Sequence, residues 1–333
     1  MRNRRFLIAC GLVLFALLSC KDANKQDAAS DKMTLAVIPK GTTHEFWKSV
    51  HAGARQAEEE LGIQIIWKGP LKEDDRESQI ALVEDFISRK VSGIVLAPLD
   101  DMALRTPVID AFNNNIPVVI IDSALKEAGY ISFVATDNQK GGYLAGKEMA
   151  GRLAGKGKVA MLRYQEGSAS TAKREQGFLE AMAEHSGIEI VSANQYGGAT
   201  TESAYRASEN LLAPLKAPDG SLAVQGLFCP NESTTFGMLR ALQDAKLAGT
   251  VTFIGFDSSK KLVEALRKGE LHALVLQNPM RMGYLGVKIM FIHLTGGQVE
   301  RRIDTGVQLV TAENMDQPRI KSLLAPDLDK WLR

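Results

Sequence analysis

The sequence predicts an α/β protein of two lobes, each a parallel sheet with crossover helices. Short β-branched runs alternate with longer helical stretches along nearly the whole chain. A length of 333 residues exceeds the ~100–200 residues of an ordinary single domain. A weak internal repeat supplies the third observation: Gly93-Ile94-Val95-Leu96-Ala97-Pro98 leads on to Asp122-Ser123, and Gly226-Leu227-Phe228-Cys229-Pro230 leads on to Asp257-Ser258. With 45% hydrophobic and 24% charged residues, the chain has ample material for a core, which excludes disorder and coiled coil. The formal net charge of +1 gives no bulk attraction for nucleic acid, and no nucleic-acid partner is expected.

The first segment reads as an export signal over residues 1–19. Arg2, Arg4 and Arg5 precede an apolar run from Phe6 to Leu18, shorter than the ~20 residues that span a bilayer as a helix. The run ends in Leu17-Leu18-Ser19-Cys20, which resembles the lipobox of bacterial lipoproteins. That resemblance implies lipidation at Cys20, a lipid-anchored protein in the periplasm or at the cell surface, and a polar tether over residues 20–32. Cys10 leaves with the signal, so Cys229 stands alone in the mature chain and no intrachain disulfide is expected. Its apolar setting marks it as a small buried hydrophobe, without chemistry.

Nine strands follow in order: Thr34–Ile38, Ile63–Trp67, Gly93–Ala97, Val118–Asp122, Val159–Arg163, Ile188–Asn194, Gly226–Cys229, Val251–Phe256 and Ala273–Gln277. The helix after the first carries Val50, Ala54, Ala57 and Leu61 in one stripe and closes at Gly62. The next, Arg76 to Lys90, repeats the pattern with Ile80, Val83, Phe86 and Ile87. Asp122 and Asp257 each end a strand, where open α/β sheets bind ligands. Each carboxylate could equally cap the helix that follows, and the residues alone leave both readings open.

The order and spacing of several motifs are more specific. Thr43-His44-Glu45-Phe46-Trp47, Ile121-Asp122-Ser123, Arg174-Glu175-Gln176-Gly177-Phe178, Pro230-Asn231-Glu232, Gly255-Phe256-Asp257, Gln277-Asn278-Pro279 and Met282-Gly283-Tyr284-Leu285-Gly286 together resemble the periplasmic sugar-binding proteins of the ribose/galactose type, the substrate receptors of ABC importers. The resemblance covers nearly all of the mature chain. It implies a periplasmic-binding-protein-like fold, two doubly wound lobes joined by a three-strand hinge with the ligand closed between them. Lobe one would be residues 33–136 plus 278–306, lobe two residues 137–277 plus 307–318, and residues 319–333 a C-terminal tail. Asp137 and Asn278 would mark two of the hinge crossings.

Carried over by this resemblance, Asp122, Asn231, Asp257 and Gln277 match ligand positions. Planar carboxylates and amides engage adjacent sugar hydroxyls in pairs, while aromatic faces cover the C–H faces of the ring. Phe46 and Trp47 match the family's aromatic wall, although both flank the apolar stripe of their helix and burial in the lobe core is the alternative. His44 stands where the family often has Asn. Arg174 either touches ligand or braces its loop. Lys40, in Ile38-Pro39-Lys40, together with the Trp67-Lys68-Gly69-Pro70 turn, is similar to the rhamnose- and autoinducer-binding branch, in which the Lys reaches the ligand. Its alternative is a solvated lysine at a strand end. Ser123 and Ala172 stand where pocket arginines are frequent, which reduces bidentate clamping.

Catalytic and cofactor motifs fail. Gly141-Gly142-Tyr143-Leu144-Ala145-Gly146-Lys147 has phosphate-loop spacing, but Glu148 replaces the Ser/Thr and the stretch reads as helix. His44-Glu45 has no second His in zinc-binding spacing, so neither cofactor nor metal is expected. Paired Asp122 and Asp257 would also suit glycoside cleavage, which leaves a sugar hydrolase as a lesser alternative, beside a chemotaxis or quorum-signal receptor. A repressor of the same fold would open on a helix-turn-helix, not an export signal. The expectation is therefore a monomeric, non-enzymatic receptor for a monosaccharide or similar polyhydroxylated molecule, served by an ABC transporter permease.

Overall fold

A computed structural model describes residues 32–332. The expected export signal, Cys20 and the expected tether up to residue 31 lie outside the described residues. Sheet one is built from β1 (Thr34–Ile38), β2 (Gln64–Trp67), β3 (Gly93–Leu96), β4 (Val118–Ile121), β5 (Ser132–Ala135) and β11 (Arg302–Asp304), in the order β11-β5-β4-β3-β1-β2. Sheet two holds β6 (Lys156–Arg163), β7 (Gly187–Tyr196), β8 (Gly226–Phe228), β9 (Thr252–Phe256), β10 (Ala273–Leu276) and β12 (Gln308–Val310), in the order β12-β10-β9-β8-β6-β7. Every pairing is parallel except β10 with β12, which is antiparallel; the expectation of purely parallel lobes is corrected at that edge.

Successive strand residues point to opposite faces, and both faces of each sheet are covered by helices. In sheet one, Leu35, Val37, Val95 and Val119 pack with α1 (Glu45–Leu61) and α9 (Pro279–Leu294). Ala36, Ile38, Ile94 and Ile120 turn to the other face, toward α2 (Arg76–Ser88) and α3 (Arg105–Asn113). Sheet two repeats the arrangement with α4 (Asn138–Arg152) and α5 (Ala169–Ala183) on one face. Its other face is covered by α6 (Thr201–Leu212), α7 (Glu232–Asp244) and α8 (Lys260–Lys268). Cys229 lies in this last core, wholly buried, and burial pushes its thiol well above the usual range.

The pairs α1/α9 and α4/α5 approach so closely that glycine is required. A Cβ at Gly53 would meet the Met280 carbonyl, one at Gly142 the Arg174 carbonyl, and one at Gly177 that of Gln139. The phosphate-loop spacing around Gly142 is thus a helix-packing signature. Helix α1 ends at Gly62 in the left-handed region (φ 66°). Helix α2 stops two residues short of its expected end, and Lys90 takes the positive φ.

The chain passes between the sheets three times: from β5 to α4, from β10 to α9, and from β11 to β12. Asp137 and Asn278 sit at the first two passages, each capping the helix it leads into, α4 through the Lys140 N–H and α9 through the Arg281 N–H. The Asp137 N–H donates to Asp304 (3.3 Å) and the hydroxyls of Thr136 and Thr305 lie 3.3 Å apart, which ties the first passage to the third. Residues 319–333, expected as a tail, begin instead within α10 (Pro318–Leu324), whose Ile320 is buried in the lobe-two core.

Candidate functional site

The two repeat aspartates follow β4 and β9 directly, and both sit in the left-handed region, Asp122 at φ 61° and Asp257 at φ 67°. Neither is a helix cap: no helix starts after Asp122, and α8 is capped by Ser259. Asp122 Oδ2 lies 2.7 Å from Lys40 Nζ, both side chains almost fully buried, so Lys40 is a buried ion-pair partner and not a solvated strand end. The ammonium also donates to Ser170 Oγ (3.0 Å) on α5. Asp257 accepts from Gln277 Nε2 (2.8 Å) and has the Arg174 guanidinium 3.6 Å away. Burial pushes the Asp257 carboxyl above the usual carboxylate range, opposed by Arg174.

A second cluster stands beside this axis. Glu73 Oε1 is 2.6 Å from His44 Nδ1 and accepts from Trp47 Nε1 (2.6 Å), while its Oε2 accepts from Tyr164 Oη (2.6 Å). Burial works against both charges, but the mutual attraction of His44 and Glu73 wins: the carboxyl is held down at about 2 and the imidazole up at about 9. Phe46 and Trp47 meet edge to face, centroids 4.9 Å apart. Both belong to the lobe-one core and also border the cavity, so the two sequence readings coexist.

Lobe two closes the space. Arg174 donates from Nε to Asn138 (2.8 Å) and from Nη1 to the Pro230 carbonyl (2.9 Å), its guanidinium lying 4.0 Å from the Phe256 ring centroid. It therefore braces the Pro230 turn while facing Asp257. Asn231 is the N-cap of α7, accepting from the Thr234 N–H (3.3 Å) and hydroxyl (2.6 Å). Of the three buried side-chain polar atoms without a protein partner among the described residues, two belong to residues that border this cavity, Gln277 Oε1 and Ser168 Oγ. Lys40, His44, Phe46, Trp47, Asp122, Arg174, Asn231, Asp257 and Gln277 all border one cavity between the lobes.

Polar contacts cross directly from one lobe to the other. The N-terminus of α1 has no side-chain cap of its own; Glu232, at the start of α7, accepts there from the N–H groups of Glu45 (3.2 Å) and Phe46 (3.0 Å). In return Glu45 Oε2 accepts from the Lys260 N–H (3.2 Å) at the start of α8. The Ser170 N–H donates to Ser123 Oγ (3.0 Å). Burial raises the Glu232 carboxyl to about 7, with His44 pulling the other way.

Glu73, Tyr164, Ser168, Ser170, Thr171 and Glu232 also line the cavity and were not singled out from sequence. Tyr164 was within reach, because it follows a strand as Asp122 does. Glu73 was not: it lies in Leu71-Lys72-Glu73-Asp74-Asp75, which reads as a solvated turn. The lining carries both signs, with Lys40, His44 and Arg174 set against Glu73, Asp122, Asp257 and Glu232, the last with its carboxyl raised to about 7 by burial. Such a surface offers donors and acceptors in alternation and suits a neutral ligand with many hydroxyls.

Known proteins share this design. The chain is 27% identical to the ribose import binding protein of Haemophilus influenzae over 90% of its length and 96% of that protein's. It is 30% identical to the D-allose-binding periplasmic protein of Escherichia coli over 79% of this chain and 85% of that one. A carbohydrate transporter solute-binding protein of Agrobacterium radiobacter, solved in complex with D-arabinose, superimposes with a TM-score of 0.84 at 32% identity, covering 89% of this chain and all of that one. An ABC transporter solute-binding protein of Agrobacterium vitis with bound D-fucose gives 0.83 at 37% identity, over 88% and 100% of the two chains. The periplasmic binding protein domain matches residues 35–298, and with two α/β lobes, three crossings and an inter-lobe polar cavity, this chain belongs to the periplasmic binding protein family.

Proposed function

We propose that this protein captures a monosaccharide or a similar neutral polyhydroxylated molecule between its lobes, without breaking a bond in it, and delivers it to an ABC importer permease. The observation that carries this reading is the cavity lining: charges of both signs around two carboxylates on matched strand ends, with Gln277 Oε1 and Ser168 Oγ left for ligand hydroxyls. An unmade hydrogen bond at a buried acceptor costs about 1–3 kcal/mol, so a sugar that completes those bonds is favoured over water-poor closure alone. The relatives named for ribose and allose, and the neighbours solved with D-arabinose and D-fucose, support the ligand class. The lobes are taken as residues 33–136 plus 278–306 and 137–277 plus 307–318, working as a monomer.

Mass spectrometry of small molecules released from protein purified after export, followed by calorimetric titration of the hits, tests the reading. A neutral sugar recovered intact and bound one to one is expected; a cleaved product, or no binding by any polyol recovered, would overturn it. We further propose that Cys20 carries the lipid that holds the mature chain outside the cytoplasmic membrane. Stable anchoring takes more than one acyl chain. Cys20→Ser should abolish metabolic lipid labelling, and equal labelling of variant and wild type would refute the anchor.

A further inference from the structure

Beside the central cavity lies a second of about 430 Å³, within the ~300–1,000 Å³ range of small-molecule sites. Its apolar wall is formed by Val263 of α8, Pro279 of α9 and the C-terminal Leu323, Leu324, Pro326 and Leu328. Phe46, Asp257 and Gln277 border both cavities. The partition between them is thus made of the residues that hold the proposed sugar, including Gln277 with its unpartnered Oε1. We propose that this second cavity is a subsite for an apolar group joined to the sugar, so that the protein takes aryl or alkyl glycosides in preference to free monosaccharides.

The inference rests on the sugar-binding reading and deepens it. A free monosaccharide held by the polar lining leaves the C-terminal leucines unused. A second sugar ring could pair with Glu45, Ser49, Ser258, Lys260 or Glu264, but would set its remaining hydroxyls against leucine and proline side chains, which neither donate nor accept. An aromatic or alkyl group meets that wall with apolar surface, whose removal from water favours binding. The ring of Phe46, shared by both spaces, can cover the sugar on one side and the substituent on the other.

Calorimetric titration with D-ribose, D-allose, D-arabinose and D-fucose, each paired with its phenyl β-glycoside, separates the possibilities. At least one phenyl glycoside should bind tenfold or more tightly than its parent sugar. The ratio should fall below threefold in Ala325→Trp, whose indole fills the cavity from an exposed position, and in Leu328→Gln, with folding of each checked by melting. A free sugar that binds while every glycoside binds equally or more weakly overturns the subsite and leaves the sugar reading standing. Absence of binding by all eight compounds also overturns the subsite as proposed, while the sugar reading stands or falls with the ligand recovered from the exported protein.

Discussion

Asp122 and Asp257 hold their carboxylates where they are with backbone that few side chains adopt, at φ 61° and 67°. Such positions cost about 1–3 kcal/mol each and persist at sites that use them, and Asp is among the residues that tolerate them best. Asp257→Ala removes a buried acceptor from a closed cleft and is expected to weaken ligand by roughly 2–5 kcal/mol, at least ~30-fold. Asp122→Ala has a second consequence, because it strips the buried Lys40 ammonium of its counter-charge. It should lower fold stability by roughly 3–5 kcal/mol as well as affinity. Glu59→Ala, exposed on α1, should change affinity by less than about 0.5 kcal/mol. Calorimetry and thermal melting check all three, and tight binding by a folded Asp257→Ala would remove that residue from the site. Both aspartates were legible because a strand end is a local feature. Glu73 was not, because what makes it central is Tyr164, which reaches it from 91 positions along the chain.

At the scale of elements, the two lobes cap each other's helices. Glu232 occupies the positive end of α1 across the cleft, and Glu45 does the same for α8. These caps exist only when the lobes meet. A cap contributes about 0.5–2 kcal/mol, so losing the Glu232 pair should weaken ligand by roughly 2- to 30-fold. The same carboxyl makes closure sensitive to pH. Its value in the closed protein, about 7, lies above that of a free glutamate, so closure takes up a proton. The resulting stabilisation is present in full below the ordinary carboxylate range and is lost as pH rises through about 7. Ligand affinity should therefore fall several-fold between pH 5 and pH 8, with proton uptake visible as a buffer-dependent heat of binding. Glu232→Gln should flatten that profile, and an unchanged slope in the variant would assign the effect elsewhere. All nine strands read from the sequence are present, whereas β5, β11 and β12 are not among them. They span four, three and three residues, and the exposed, charged ends of β11 read as loop.

At the scale of the whole molecule, the polar contacts that close the cleft reach across it from both sides: Lys40 to Ser170, Ser170 to Ser123, Tyr164 to Glu73, and Glu232 to the start of α1. Each of these groups finds water when the lobes part, so together they favour closure only modestly, since a hydrogen bond exchanged for one to water nets about 0.5–1.5 kcal/mol. A ligand that touches both lobes adds its differential affinity for the closed form and shifts the population toward it. The three passages at Asp137, Asn278 and Gly306 are short, and the first is bonded to the third at Thr136 and Thr305, which suits a rigid rotation about one axis better than a change within either lobe. Small-angle scattering should accordingly show a smaller radius of gyration at saturating ligand, with the closed profile matching the arrangement described here. Melting should rise in parallel, by the equivalent of about 2.7 kcal/mol at a hundredfold excess over Kd. The two measurements discriminate between mechanisms. A raised melting temperature with an unchanged scattering profile would mean that ligand enters lobes already closed, and the cross-lobe caps would then be fixed structure instead of the moving part of a trap.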